Sequence, residues 1–113
     1  MNKLIVIPLM LSISTAAFAQ KTYTPSQLNR MGNSGQYPSQ GPVNNTQTQS
    51  MTFDACKANA ERVMSQIRGS YPVRTVVDTG ILYTVKAWTN NGAITVSCSE
   101  LDREMILTQA SYN

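Results

Sequence analysis

The spacing of apolar residues divides the chain into stretches of different character. Leu4 to Ile13 form one short, nearly unbroken apolar run. Between residues 20 and 51 the apolar positions are few and scattered: Leu28, Met31, Val43 and Met51. Phe53, Cys56, Ala60, Val63, Met64 and Ile67 then recur at helical spacing, which predicts a helix with one apolar stripe. Thr52 suits the N-cap and Asp54 the first turn. Gly69 falls where a C′ glycine would sit, and Pro72 prevents continuation. The predicted helix covers residues 53–68.

Beyond the helix the period changes to two. Val73 to Val77 is rich in β-branched residues and ends at an Asp78-Thr79-Gly80 turn. Ile81 to Thr89 alternates, Asn90-Asn91-Gly92 turns the chain, and Ala93 to Cys98 returns as the next strand. A two-residue loop of Asn91-Gly92 sets Ala87 opposite Val96 and Val85 opposite Cys98. One face then carries Ile81, Tyr83, Val85, Ala87, Ile94, Val96 and Cys98. The other carries Leu82, Thr84, Lys86, Trp88, Thr95 and Ser97. The first face is free of charge and is expected to be the core face. Two signals compete in the last segment. Ser99-Glu100-Leu101-Asp102 resembles a capping box, with Leu101, Met105, Thr108 and Tyr112 at helical spacing. Met105 to Thr108 is also a compact apolar run after a polar turn, and a strand there would extend the sheet. The strand reading is adopted.

These elements predict an α+β fold: one N-terminal helix packed on an antiparallel sheet of three or four strands. The folded unit is residues 52–113. Residues 20–51 are dominated by Gln, Asn, Ser, Thr, Gly and Pro. By composition this stretch buries too little surface to offset its ordering entropy, and it reads as a disordered tether.

The first apolar run has a different meaning. Lys3 precedes it and Ala17-Phe18-Ala19 follows it, the pattern of a secretory signal peptide over residues 1–19 with the mature chain starting at Gln20. A run of about ten residues falls short of the roughly 20 that a spanning helix needs. No second apolar run is long enough either, so no membrane span is expected after cleavage. The short n-region and Ala-x-Ala site point to a bacterial envelope protein, periplasmic or secreted. Cleavage leaves eight basic and six acidic side chains, with no Lys/Arg cluster of the kind that tracks phosphates. Nucleic acid is therefore not an expected partner.

Export gives the two cysteines their meaning. Cys56 lies on the apolar stripe of the helix and Cys98 on the core face of the hairpin. An even count in an exported chain implies a disulfide, and the two facing assignments put both sulfurs in one layer. In the chain-entropy model such a bridge contributes roughly 4 kcal/mol, which matters in a unit this small.

Candidate chemistry is sparse. The chain has no His, which removes the commonest general base, the usual triads and most transition-metal sites. Glu100, Asp102 and Glu104 alternate near a turn, but the calcium-loop pattern is missing. Val76-Val77-Asp78-Thr79-Gly80 resembles the active-site signature of aspartic proteases. Only 35 residues follow Asp78, too few for that fold, and Asp-Thr-Gly is equally a hairpin turn. No metal or cofactor is expected.

What remains is surface. Leu82, Lys86 and Trp88 share the outer face of the hairpin, and Trp is enriched at binding hot spots. These three are the candidate partner-binding residues. The expected function is that of a non-catalytic envelope protein that binds another protein, as an accessory subunit or an inhibitor. A wall-polymer or carbohydrate-binding module is the alternative, and a small hydrolase a remote third.

Overall fold

The computed structural model describes residues 21–113. The expected signal peptide, residues 1–19, lies outside the described residues. The order of elements is α1 (Pro25–Asn33), β1 (Gln40–Ser50), α2 (Phe53–Ile67), β2 (Val73–Asp78), β3 (Leu82–Thr89), β4 (Gly92–Ser99) and β5 (Glu104–Tyr112). The five strands form one antiparallel sheet in the order β1-β5-β4-β3-β2. Strands β2 to β5 run as a meander from one edge to the other. α2 carries the chain back across the sheet, from the β1 edge to the β2 edge. The α+β class and the Cys56–Cys98 bridge are as the sequence predicts.

α2 forms where the apolar stripe placed it. The Thr52 side chain accepts from the Ala55 N–H, and Asp54 sits in the first turn. Phe53, Cys56, Ala60 and Met64 are buried against Tyr83, Val85, Ala87, Val96 and Cys98 of the sheet. Each buried aliphatic or aromatic side chain contributes on the order of 1.5–3 kcal/mol. Val63 is left 39% exposed, since an opening rather than close packing separates it from Val96, Met105 and Leu107 of the sheet. The helix ends without a left-handed glycine: Gly69 has no positive φ, and the Arg68 N–H closes the last turn on the Met64 carbonyl.

The β3–β4 turn differs from expectation by one residue. Thr89 pairs with Gly92, so the two-residue loop is Asn90-Asn91, and Val85 faces Val96 while Tyr83 faces Cys98. This moves the pairing by two positions, which preserves both faces, and the predicted core face survives. Gly92 opens β4, paired with Thr89 and Ser111, and glycine is required there because a Cβ would lie 2.3 Å from the Ala110 carbonyl oxygen. Ile81 drops out of the core and is 54% exposed. Residues 104–112 form a strand, and Ser99 instead closes the preceding turn, its Oγ accepting from the Asp102 N–H at 3.0 Å.

The largest correction concerns residues 21–51. Composition predicts a disordered tether, one helix and at most four strands. The structure places a second helix, α1, and a fifth strand, β1, in that stretch. α1 is specified locally. Thr24 and Gln27 form a reciprocal capping box, with Pro25 in the first turn. Tyr23 before the cap joins Leu28 in one apolar cluster, the arrangement of a hydrophobic staple. β1 is specified by its partner. It pairs with β5 from Gln40↔Tyr112 to Ser50↔Glu104, with irregularities between Gln40 and Val43 and between Val43 and Asn45. Its ordering is offset by backbone hydrogen bonds and by aromatic anchors on α1 and the loop after it, which segment-average composition does not register.

Candidate binding surfaces

α1 and the loop that follows it lie on the sheet face opposite α2. Leu28, Trp88, Ala93 and Tyr112 form a second buried cluster, with Tyr23, Tyr37 and Tyr71 packed at its border. Trp88 is therefore not the exposed hot spot expected from its place on the outer face. It is 5% exposed, and the Tyr37 ring covers it in a parallel stack with centroids 3.7 Å apart. Its indole N–H finds no partner among the described residues, a cost of about 1–3 kcal/mol. The Lys86 ammonium lies 5.4 Å from the Trp88 ring centroid, and burial pushes its pKa down. Leu82 lies at the far end of β3, beyond Thr84, and is 39% exposed. The structure brings Lys86 and Trp88 together but leaves Leu82 apart, so the three do not make one patch.

The tip of the β3–β4 hairpin holds this cluster in place. Asn90 accepts from the Tyr23 N–H through its carbonyl and donates to the Tyr23 carbonyl through its amide. Tyr71 donates its hydroxyl to the Asn90 side chain. Tyr112 donates to the Thr89 carbonyl at 2.7 Å and meets Tyr23 edge-on, with centroids 5.1 Å apart. Burial, then the neighbouring Tyr23, raises the Tyr112 pKa well above the ordinary phenol value.

Charge is distributed unevenly between the two ends of the sheet. Asp54, Asp78, Glu100, Asp102 and Glu104 gather where β2 and β4 finish and β3, β5 and α2 begin, with Arg103 and Lys57 as the basic side chains near them. The opposite end carries Lys21, Arg30, Arg68 and Arg74. There a cleft of about 310 Å³ opens between α1, the end of α2 and the start of β2. Asn29, Asn33, Tyr37, Tyr71, Arg68 and Arg74 line it. Arg74, at the cleft wall, donates from Nε to the Tyr37 hydroxyl and from Nη2 to the Gly32 carbonyl at 3.1 Å. Arg68 makes one long ion pair with Glu61, 3.5 Å. Guanidinium, phenol and carboxamide groups together suit an anionic, hydroxyl-rich ligand.

A second opening lies between α2 and the sheet. It has a volume of about 330 Å³ and is lined by Met51, Ala60, Val63, Val96, Met105 and Leu107, with Gln49, Asn59 and Arg62 at its margin. It is the more apolar of the two, and it opens beside β1. From Pro42 onward every residue of β1 is exposed, and the strand carries no charged side chain. Among the described residues only one of its edges is paired, as β1 stands at the end of the strand order, and the other edge presents backbone donors and acceptors.

The groups singled out for chemistry are not brought together. Asp78 ends β2, exposed, and the Thr79 hydroxyl accepts from the Leu82 N–H at 2.9 Å to close a tight turn. Among the described residues no group of three metal-ligating side chains is close enough to hold an ion. Tyr83 donates to Glu61 across the α2–sheet contact. Its pKa is raised first by burial and then by that bond. No protein-family model matches the chain, and neither a curated protein nor a solved structure matches it.

Proposed function

We propose that this chain is a small exported envelope protein that works by binding another protein, without catalysis. Its binding edge is β1 with the apolar groove beside it. The observation that carries this reading is β1 itself: an edge strand of 11 residues, exposed from Pro42 to Ser50 and without a charge. Such an edge accepts an added strand through main-chain hydrogen bonds, and the groove takes apolar side chains of the incoming segment. The disulfide, and the lack of any helix among the described residues long and apolar enough to cross a membrane, are compatible with a periplasmic or secreted location.

The test is a cross-linked pull-down from envelope extract, with the wild type and a Gln47→Lys/Gln49→Lys variant as baits. A partner held by the wild type and lost by the variant supports the edge. A partner held equally by both contradicts it.

A second reading rests on the basic cleft. Arg68, Arg74, Tyr71, Asn29 and Asn33 would serve a carboxylate-bearing saccharide of the wall. Sedimentation with purified wall polymer separates the two readings. Loss of co-sedimentation in Arg74→Ala, with the β1 variant unaffected, favours the cleft.

A further inference from the structure

We propose that β1 is self-complementary, and that two copies of this chain join edge to edge through it into one continuous antiparallel sheet. This rests on β1 being the binding edge and names its partner. The two edges of the sheet are built differently. The β2 edge follows Pro72, carries Arg74 and is irregular between Thr75 and Val77, devices that keep strands from adding. β1 has none of these between Thr46 and Ser50. Upstream β1 does carry Pro42 and two irregularities, between Gln40 and Val43 and between Val43 and Asn45, so the free stretch is its second half, Thr46 to Ser50. α2 packs chiefly on β3, β4 and β5 and α1 on β3, and every residue of β1 from Pro42 to Ser50 is exposed among the described residues.

The side chains of β1 fit their own copy. Thr46, Thr48 and Ser50 lie on the α1 face, level with Thr108, Ile106 and Glu104. Gln47 and Gln49 lie on the α2 face, level with Leu107 and Met105. A two-fold axis normal to the sheet keeps each face with its like, as a continuous sheet requires. Set through Thr48, it places Thr48 opposite Thr48 of the second copy, Gln47 opposite its Gln49 and Thr46 opposite its Ser50. Hydroxyls and carboxamides both donate and accept, so each like pair can hydrogen-bond. No charge meets its like anywhere along the strand. The set through Gln47 pairs Thr46 with Thr48 and is equally free of conflict.

The experiment measures the mass of the purified protein in solution against concentration. Three forms are compared: the wild type, Gln47→Lys/Gln49→Lys, and Gln47→Glu/Gln49→Glu. All substituted positions are exposed, and the mixed sample controls for folding. The expected result is a wild-type dimer, weakened about tenfold or more in each variant alone. Mixing the Lys and Glu variants restores a dimer containing one chain of each. A wild type that stays monomeric up to about 1 mM overturns the proposal. So does a dimer equally strong in both variants, or a mixture that fails to pair. A monomeric wild type whose Lys variant still loses its envelope partner overturns self-pairing alone. If the Lys variant also keeps that partner, the edge reading falls with it.

Discussion

Tyr37 lies flat on Trp88, ring centroids 3.7 Å apart and planes 11° apart. The stack fastens the loop after α1 to the middle of the sheet. Trp88 is the only tryptophan, so the fluorescence reports on its surroundings, of which the Tyr37 ring is the stacked cover. Tyr37→Ala should shift the emission to longer wavelength, as water reaches the indole, and lower stability by about 1–3 kcal/mol. An unchanged spectrum would mean that the Tyr37 segment does not cover Trp88 in solution.

Cys56 and Cys98 are both fully buried, with Cα atoms 5.7 Å apart, and tie α2 to β4. Cys98→Ser leaves a buried hydroxyl and lengthens the free chain of the unfolded state. The expected loss is about 2–5 kcal/mol in denaturant unfolding, with reduction of the wild type producing a similar drop. Equal stability of oxidised and reduced protein would contradict a structural role.

Gly92 is fixed by close approach, since a Cβ would sit 2.3 Å from the Ala110 carbonyl oxygen. That atom is backbone and cannot swing aside. Gly92→Ala should lower stability by about 2 kcal/mol or more, on the order of 10 °C in Tm. Gly80, with no atom near its would-be Cβ, is the control, and Gly80→Ala should change Tm little. Equal effects at the two sites would place the β4–β5 contact elsewhere.

The tyrosines set the response to alkali. Burial, then the bond to Glu61, raises the Tyr83 pKa above its ordinary value of 10.0, and Tyr112 is raised by burial as well. The folded state therefore holds these protons more tightly than the unfolded chain. Their contribution is full below pH 10 and is lost as pH rises through the folded values. Lys86 acts in the opposite sense, its pKa lowered by burial, so the cost of burying its charge lifts over the alkaline range. The two phenols set the net sign. The denaturation midpoint should fall as pH is raised above 10, and Tyr83→Phe should make the fall shallower. A midpoint independent of pH in that range would contradict the burial of both hydroxyls.

The core was legible because burial writes a period into the sequence. Phe53, Cys56, Ala60 and Met64 repeat as one helix face, Tyr83, Val85 and Ala87 as one strand face, and the two cysteines fall where those faces meet. β1 left no such mark. Gln47 and Thr48 point to opposite faces and both meet water, so neither alternation nor apolar content distinguishes the strand from a coil. Its partner, β5, decides its conformation, and that information lies far along the chain. α1 did leave a mark in Thr24-Pro25-Ser26-Gln27, a capping box with proline at the first helical position, outweighed by the polar composition around it. Missing α1 also misplaced the candidate site. With no element to cover the outer face, Trp88 read as exposed, whereas Leu28 and Tyr37 bury it.

The account stands on β1 as the binding edge, and site-specific photo-cross-linking in living cells tests that most directly. A photoreactive residue is placed at Thr48 on the edge or at Ser65 on the exposed side of α2. The account predicts a discrete cross-linked species from position 48 and none from position 65, its mass identifying the partner or a second copy of the chain. Cross-links from position 65 with none from position 48 would contradict it and move the binding face to the helix.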